Sequence, residues 1–448
     1  MKERAKSALL LVLILSSLSI TGYLWMGFPG GRAAPVEGIY LPPAPDPQAP
    51  PLTALVVPGR VAVHAGEDRH LVGRPGEALF RLVWDDGRLL RRSLTMVMEP
   101  HTGEREEHLW RQQGPGFELW FPLALPLRQW GQLYSALAWQ QLPEFWVSRF
   151  HIYLGGEIPK LVVEGPSGIL CYRLREGILD LLQVVESAAG VSGPAWEELP
   201  ETVDGVAVAP GAYVPVFIDT RPFHIIPDTT SVNELVRKVF FDVSIVRRIE
   251  ERDGSTIFTD GKRGLRIYPQ GGWEFTSPLG GAEDVRTELE ALVVAARFAA
   301  AHGGLVEDSR IVGLDRLWTA RGFRWSVKIS VDLEGVPVEG ADYPIVVSVG
   351  PHGVEAYRWA LRKPGPNFGI ARSPLAAAAA VSLAVSALGV PEDRQEQEEI
   401  SITRVELAYW NQPPGMVQDD YRLEWLVYFS HDRLVSVDVR SGQTTVRR

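Results

Sequence analysis

The chain predicts an α+β fold, with an N-terminal transmembrane helix followed by a multi-domain ectodomain of antiparallel sheets packed by helices. Three observations carry this expectation. Ser7 to Phe28 contains no charged residue. At about 1.5 Å per residue such a run crosses a hydrocarbon core of about 30 Å as a helix, which satisfies its own backbone in lipid. Downstream, short apolar runs of period two alternate with Gly, Pro, Asn and Asp turn signals, the pattern of antiparallel strands. Between them stand a few apolar segments of helical period. With 448 residues, 46% hydrophobic and 22% charged, the chain is a folded protein too long for one small core.

Residues 1–6 read as a cytoplasmic N-terminus and 7–28 as the transmembrane helix. Lys2, Arg4 and Lys6 precede the span, whereas the next basic residue beyond it is Arg32. That asymmetry keeps the N-terminus in the cytoplasm and puts the bulk outside it. Tyr23 and Trp25 stand where aromatic rings favour the far interface. A cleaved signal peptide is the competing reading, since Gly31-Arg32-Ala33-Ala34 offers small residues. The apolar run exceeds the usual signal core of about 7–15 residues, and Arg32 is a poor neighbour for cleavage, which favours retention. Residues 29–51 form a Pro-rich tether, where Pro29, Pro35, Pro42, Pro43, Pro45, Pro47, Pro50 and Pro51 favour extended polyproline II.

A first α+β domain is expected over 52–190. It opens with a strand at Leu55-Val-Val, followed by helical spacing from Gly76 to Leu94 and a strand over Phe117–Leu125. A helical piece over Leu127–Leu137 precedes three antiparallel strands near 150–154, 160–164 and 169–173, and a helix from Leu174 to Ala188 closes the domain. A central domain follows over 191–280, with a strand from Tyr213. Ser231-Val-Asn-Glu234 reads as a capping box opening a helix to about Phe240. Asp253-Gly254 and Asp260-Gly261 then mark hairpin turns. The C-terminal α+β domain occupies 281–448. It has a helix over Asp284–Ala301, strands through Trp325–Val331 and Pro344–Val349, a second helix from Ser373-Pro374 to Leu388, and closing strands at 402–409, 421–429 and 434–439. The helix-then-meander order recurs, so the central and C-terminal domains are candidate structural repeats.

A formal charge of −10 argues against nucleic acid and against a polybasic membrane-surface module. Cys171 is the single cysteine, so an intramolecular disulfide is excluded, and Gly168-Ile-Leu-Cys-Tyr places it as a small core residue. The nine histidines are scattered. Glu106-Glu107-His108 lacks the second His of a zincin helix, and neither a Cys-x-x-Cys pair nor a phosphate-binding Gly loop occurs. Gly165-Pro-Ser-Gly is one residue short of a nucleophile elbow and sits where a hairpin turn is expected, so Ser167 reads as a turn residue. Asp260-Gly-Lys-Arg-Gly opens no helix, and turn chemistry accounts for it. Adjacent carboxylates at Asp85-Asp86 and Glu250-Glu251 read as solvated loops. No nucleophile, base or metal set emerges, and therefore no catalytic, cofactor or metal residues, no cofactor and no small-molecule substrate are assigned.

One stretch carries a resemblance. Val239-Phe-Phe-Asp-Val-Ser-Ile-Val-Arg-Arg-Ile-Glu-Glu-Arg-Asp-Gly-Ser-Thr-Ile-Phe-Thr-Asp-Gly-Lys-Arg-Gly-Leu-Arg-Ile, residues 239–267, resembles the central segment of YycH proteins. There a Phe-x-Asp-x-x-x-Val pattern leads through a hairpin to Tyr-Thr-Asp-Gly-x-Arg-x-Leu, with Phe258 here in place of the Tyr. The basic start, the Leu-rich span with Ser-Ser-Leu and Trp25 at its exit are similar too. Ile402-Thr-Arg-Val-Glu-Leu-Ala-Tyr, Leu423-Glu-Trp and Val437-Asp-Val-Arg-Ser-Gly look like the family's C-terminal end. The resemblance implies a non-enzymatic accessory regulator of a WalK (YycG) sensor histidine kinase. It would act with a YycI-like protein in the cell membrane, partly through transmembrane helices, to tune cell-wall homeostasis.

For that role Ser16, Ser19 and Tyr23 form one stripe of the span at about 100° per residue, opposite Leu11, Leu15, Leu18 and Gly22. Small and hydroxyl residues mark helix–helix contacts in lipid more often than Leu does. The same hydroxyls can instead bond their own backbone. A different class of function stays open, an anchored envelope protein that binds cell-wall glycan through some of its 14 Trp.

Overall fold

The computed structural model describes residues 49–448, apart from 67–69, 87–92, 94–96, 101–113, 135–142, 156–158, 175–178, 192–194, 210, 217–220, 227–230, 241, 282, 321, 369–373, 390–399, 432 and 448. The expected transmembrane helix over 7–28, its stripe of Ser16, Ser19 and Tyr23, and the tether up to residue 48 lie outside the described residues. Among the described residues no helix is long and apolar enough to cross a membrane. All of the described residues belong to one compact unit, Pro47–Arg448.

The α+β expectation holds, with mainly antiparallel sheets packed by helices. The chain begins with a single helical turn, α1 (Leu52–Leu55), where a strand is expected at Leu55. The first strand, β1, comes five residues later at Arg60–His64. Then follow β2 (His70–Gly73), a helical stretch α2 (Ala78–Phe80) continued by a π-turn over Arg81–Asp86, and β3 (Val97–Pro100). Next come β4 (Gly116–Pro126), α3 (Leu127–Leu133), β5 (Trp146–Tyr153), β6 (Lys160–Gly165), β7 (Gly168–Leu174) and α4 (Leu179–Ala189). These strands make a seven-stranded sheet in the order β2-β1-β4-β5-β6-β7-β3. Strict alternation decides its faces. Val61, Val63, Phe117, Leu119, Phe150, Ile152, Leu161 and Val163 turn inward and are buried. There they meet Trp130 of α3, whose indole N–H donates to the Val147 carbonyl at 2.9 Å, which removes the cost of burying it.

Short strands β8 (Trp196–Glu198), β9 (Thr202–Val203), β10 (Val206–Val208), β11 (Tyr213–Pro215) and β12 (Phe223–Ile226) lead to α5 (Val232–Val239). A meander, β13 (Arg247–Glu250), β14 (Thr256–Thr259), β15 (Gly264–Ile267) and β16 (Trp273–Thr276), comes next. After α6 (Glu288–Ala301) come β17 (Ser309–Thr319), β18 (Gly322–Leu333), β19 (Val336–Gly340), β20 (Ile345–Gly350), β21 (Gly353–Trp359) and β22 (Lys363–Asn367). The last run is α7 (Ala377–Leu388), β23 (Ser401–Asn411), β24 (Asp420–Tyr421), β25 (Leu423–Phe429), β26 (Arg433–Asp438) and β27 (Thr444–Arg447). Gly389 ends α7 in the left-handed region at φ 63°, the conformation glycine adopts without penalty.

A fifteen-stranded sheet runs β13-β14-β15-β16-β21-β20-β18 and then β19-β23-β25-β26-β27, with β17 beside β18 and β9–β10 on β23. The two halves are joined by β18 turning tightly into β19. In each half a helix precedes a meander it packs on: α6 covers β18, β20 and β21, and α7 covers β25, β26 and β27. The meander β13–β16 is likewise preceded by α5, which touches β15. With β19 and β24 excepted, the strands of each unit lie in sequence order.

α5 forms as expected, but the Ser231 hydroxyl makes no capping bond, and Glu234 turns forward to Lys238 at 3.2 Å. The helix start is exposed, so water serves its free amides. The reciprocal box forms instead at α6, where Thr287 accepts from the Glu290 amide and the Glu290 carboxylate accepts from the Thr287 amide.

Candidate functional site

Three irregularities in otherwise regular strands converge on one place. The pairing of β4 with β5 shifts register between Trp120 and Leu125, around Pro122. β17 carries a bulge at Val312, between Ile311 and Gly313. Along β23, one edge pairs in parallel with β10 at Ser401–Ile402 and with β19 at Tyr409–Asn411. Among the described residues no strand covers that edge in between. Bulges and interrupted ladders re-aim side chains and open space beside a sheet. Here they surround a cavity of about 510 Å³ that takes in Phe121–Ala124 of β4, Val312–Leu314 of β17 and Thr403–Leu407 of β23.

The side chains turned into it are mostly charged. On the polar face of the first sheet, Arg60 of β1 and Arg149 of β5 flank Trp120 of β4, in register. From β17 and β18 come Arg310, Asp315 and Lys328, from β19 Glu339, and from β23 Arg404 and Glu406, while Trp196 and Tyr213 close one side. Most charges are matched. Arg310 donates to Asp332 at 2.6 and 3.0 Å, both side chains buried. Arg149 meets Glu164 at 3.1 Å and Lys328 meets Asp315 at 2.7 Å. Arg404 lies between Glu406 at 3.5 Å and Glu339 at 3.7 Å, with its guanidinium 3.8 Å above the Tyr428 ring. Glu339 is buried and accepts from the Tyr428 hydroxyl at 3.0 Å. Burial, reinforced by the nearby Glu406 carboxylate, pushes its pKa up to about 7 against the pull of Arg404.

Arg60 differs. Its guanidinium donates to the backbone carbonyls of Tyr213 at 3.0 Å and Gly211 at 2.9 Å, and stacks 4.6 Å from the Trp120 ring. Neither carbonyl brings a negative charge, and burial pulls its pKa down to about 10 against the opposing pull of the Glu406 and Glu118 carboxylates.

A second feature lies at the far edge of the large sheet, within residues 239–267. All four residues of β13 are exposed, and Val243, Ile245 and Ile249 present apolar side chains at 45%, 58% and 49% exposure. Behind this edge the Asp260-Gly261 turn forms as expected. The Asp260 carboxylate accepts the amides of Lys262 and Arg263 at 2.9 and 2.7 Å. Burial raises its pKa, but those amides and the Arg263 guanidinium outweigh it and bring the carboxyl down to about 2. At the tip of the β17–β18 hairpin Trp318 is 73% exposed beside Leu317.

Of the residues weighed from sequence, Ser167 sits in the tight Gly165–Gly168 hairpin. Cys171 is half-buried, its thiol pushed up by burial. Among the described residues no group of His, Cys, Asp and Glu is arranged to hold a metal ion. The cavity residues carry no local signal, because positions 60, 120, 310, 339 and 404 meet only through sheet pairing. Neither a family model nor a curated protein matches the chain. An uncharacterized protein from Eubacterium rectale, of known crystal structure, is similar over 54% of this chain and 90% of its own, at 10% identity and a TM-score of 0.36, a likeness that carries no functional argument.

Proposed function

We propose that the chain is a membrane-anchored, extracytoplasmic and non-enzymatic regulator of a WalK/YycG-type sensor histidine kinase, working with a YycI-like protein to tune cell-wall homeostasis signalling. Residues 7–28 are its single-pass anchor, with the N-terminus in the cytoplasm, and Ser16, Ser19 and Tyr23 are the face turned to partner helices. One observation carries the reading. The segment that resembles YycH, 239–267, supplies an open sheet edge at β13 lined by the exposed Val243, Ile245 and Ile249. An edge strand offers a partner a row of backbone donors and acceptors, and apolar side chains beside it add affinity.

Co-purification of the full chain with the kinase from membranes tests this. Ile245→Glu with Ile249→Glu is expected to cut kinase recovery at least about tenfold, and Ser16→Leu with Ser19→Leu to weaken it further. Unchanged recovery in both double variants would sink the proposal. The exposed Trp318 favours one second reading, a cell-wall glycan-binding protein. In that case retention on peptidoglycan is lost in Trp318→Ala and kept in the β13 variant.

A further inference from the structure

We propose that the cavity is a binding site for a small organic ligand bearing one oxyanion, a carboxylate or a phosphate, which Arg60 holds beside Trp120 and Tyr213. The site is independent of the partner proposed above.

The charge balance around the cavity points to an anion. Arg310, Arg149, Lys328 and Arg404 each have a carboxylate within 4 Å. Among the described residues Arg60 has none at ion-pair distance, and its bonds go to two neutral carbonyls. Its Nε is buried without a hydrogen-bond partner. Arg60 is half-buried, and the Glu406 and Glu118 carboxylates act on it only from beyond ion-pair distance, so an entering oxyanion gains a direct ion pair while using the donors left over. Guanidinium recognises carboxylate and phosphate alike through its planar fork.

Shape and the opposite wall restrict the ligand further. A volume of about 510 Å³ exceeds that of a bare ion and lies in the usual range for small-molecule sites. Trp120 and Tyr213 back Arg60, and Pro122 and Leu314 add apolar lining for an organic body. Glu339 and Glu406 line the cavity from β19 and β23, and Glu406 acts on Arg60 itself, so a second negative charge on the ligand is repelled. The preferred ligand is therefore a monoanion with a neutral or cationic tail. Because the walls come from both large sheets, occupancy fastens those sheets together at the cavity.

Thermal melting of the full chain in detergent tests the site. The probes are inorganic phosphate and acetate, each against chloride at equal ionic strength. At least one oxyanion is expected to raise Tm in a saturable way. In Arg60→Gln that response vanishes, whatever shift of Tm in chloride follows from losing the bonds to Tyr213 and Gly211. Arg60→Lys, which keeps the charge but loses the fork, is expected to need about tenfold more of the same oxyanion. Which probe acts separates a phosphate from a carboxylate ligand. A Cβ added at Gly59 meets no atom closer than 3.7 Å, so Gly59→Ala should fold and narrow the cavity beside an intact Arg60. It is expected to weaken the response. Absence of a saturable response to either probe, or an equal response in wild type and Arg60→Gln, would mark an adventitious ion only and overturn the proposal.

Discussion

Glu339 is buried close to Glu406, with Arg404 between them. Its pKa is raised to about 7 from an ordinary 4.5, so between those values the folded state keeps a proton that the unfolded chain releases. Folding stability from this group therefore falls as pH rises from about 4.5 to about 7 and levels off above. Glu339→Gln, which removes the charge and retains an acceptor for Tyr428, is expected to flatten that slope. It should stabilise the protein at pH 8 by on the order of 2 kcal/mol, read from urea midpoints at pH 5 and pH 8. Neither Glu339 nor Arg60 is conspicuous in the sequence. Val336-Pro-Val-Glu-Gly and Arg60-Val-Ala-Val-His look like strands with one wet face, and only the approach of another sheet makes that face interior.

Among elements, the two helix starts make a matched comparison. Ser231-x-x-Glu234 and Thr287-x-x-Glu290 share one local pattern, yet only the second closes into a box. Glu288, the first residue of α6, is buried, so amides there need internal partners, whereas Ser231 and Val232 are exposed. Thr287→Ala is thus expected to cost about 1 kcal/mol in a urea denaturation series and Ser231→Ala close to nothing. A cost for Ser231→Ala equal to that of Thr287→Ala would contradict this account. Hairpins and long helices were legible in the sequence because their signals are local: Asp260-Gly261 builds its own turn from side chain to amide. Strands β8 to β10 were not, since two or three residues are too few for a period to show. Leu55-Val-Val misled for the same reason, being apolar in a run too short to separate a helical turn from a strand.

Across the whole molecule, one buried polar joint ties the first sheet's layer to the helix of the large sheet. The Gln129 amide donates to Glu288 at 2.6 Å while its carbonyl accepts the Leu289 amide at 2.8 Å, and Arg316 meets Glu288 at 2.9 Å. One cluster of buried apolar residues, drawn from 55–188 and 235–357, surrounds it. Gln129→Ala leaves an amide and a carboxylate short of partners inside that core. It is expected to lower global stability by about 2 kcal/mol, in one shared transition by circular dichroism and Trp fluorescence. Two separate transitions would show that the joint does not couple the layers.

The parallel pairings of β23 also impose an order on assembly. Synthesis delivers β10 and β19 well before β23, the strand that both of them require. Until Ser401–Asn411 emerges, a nascent chain carries two short strands with bare edges, and these invite wrong partners. At the meeting point a Cβ on Gly340 would come within 2.7 Å of the Asn411 backbone, so the latecomer docks only because nothing projects there. A chain cut before Ser401 is therefore expected to leave both edges unpaired and to aggregate more readily than the full chain.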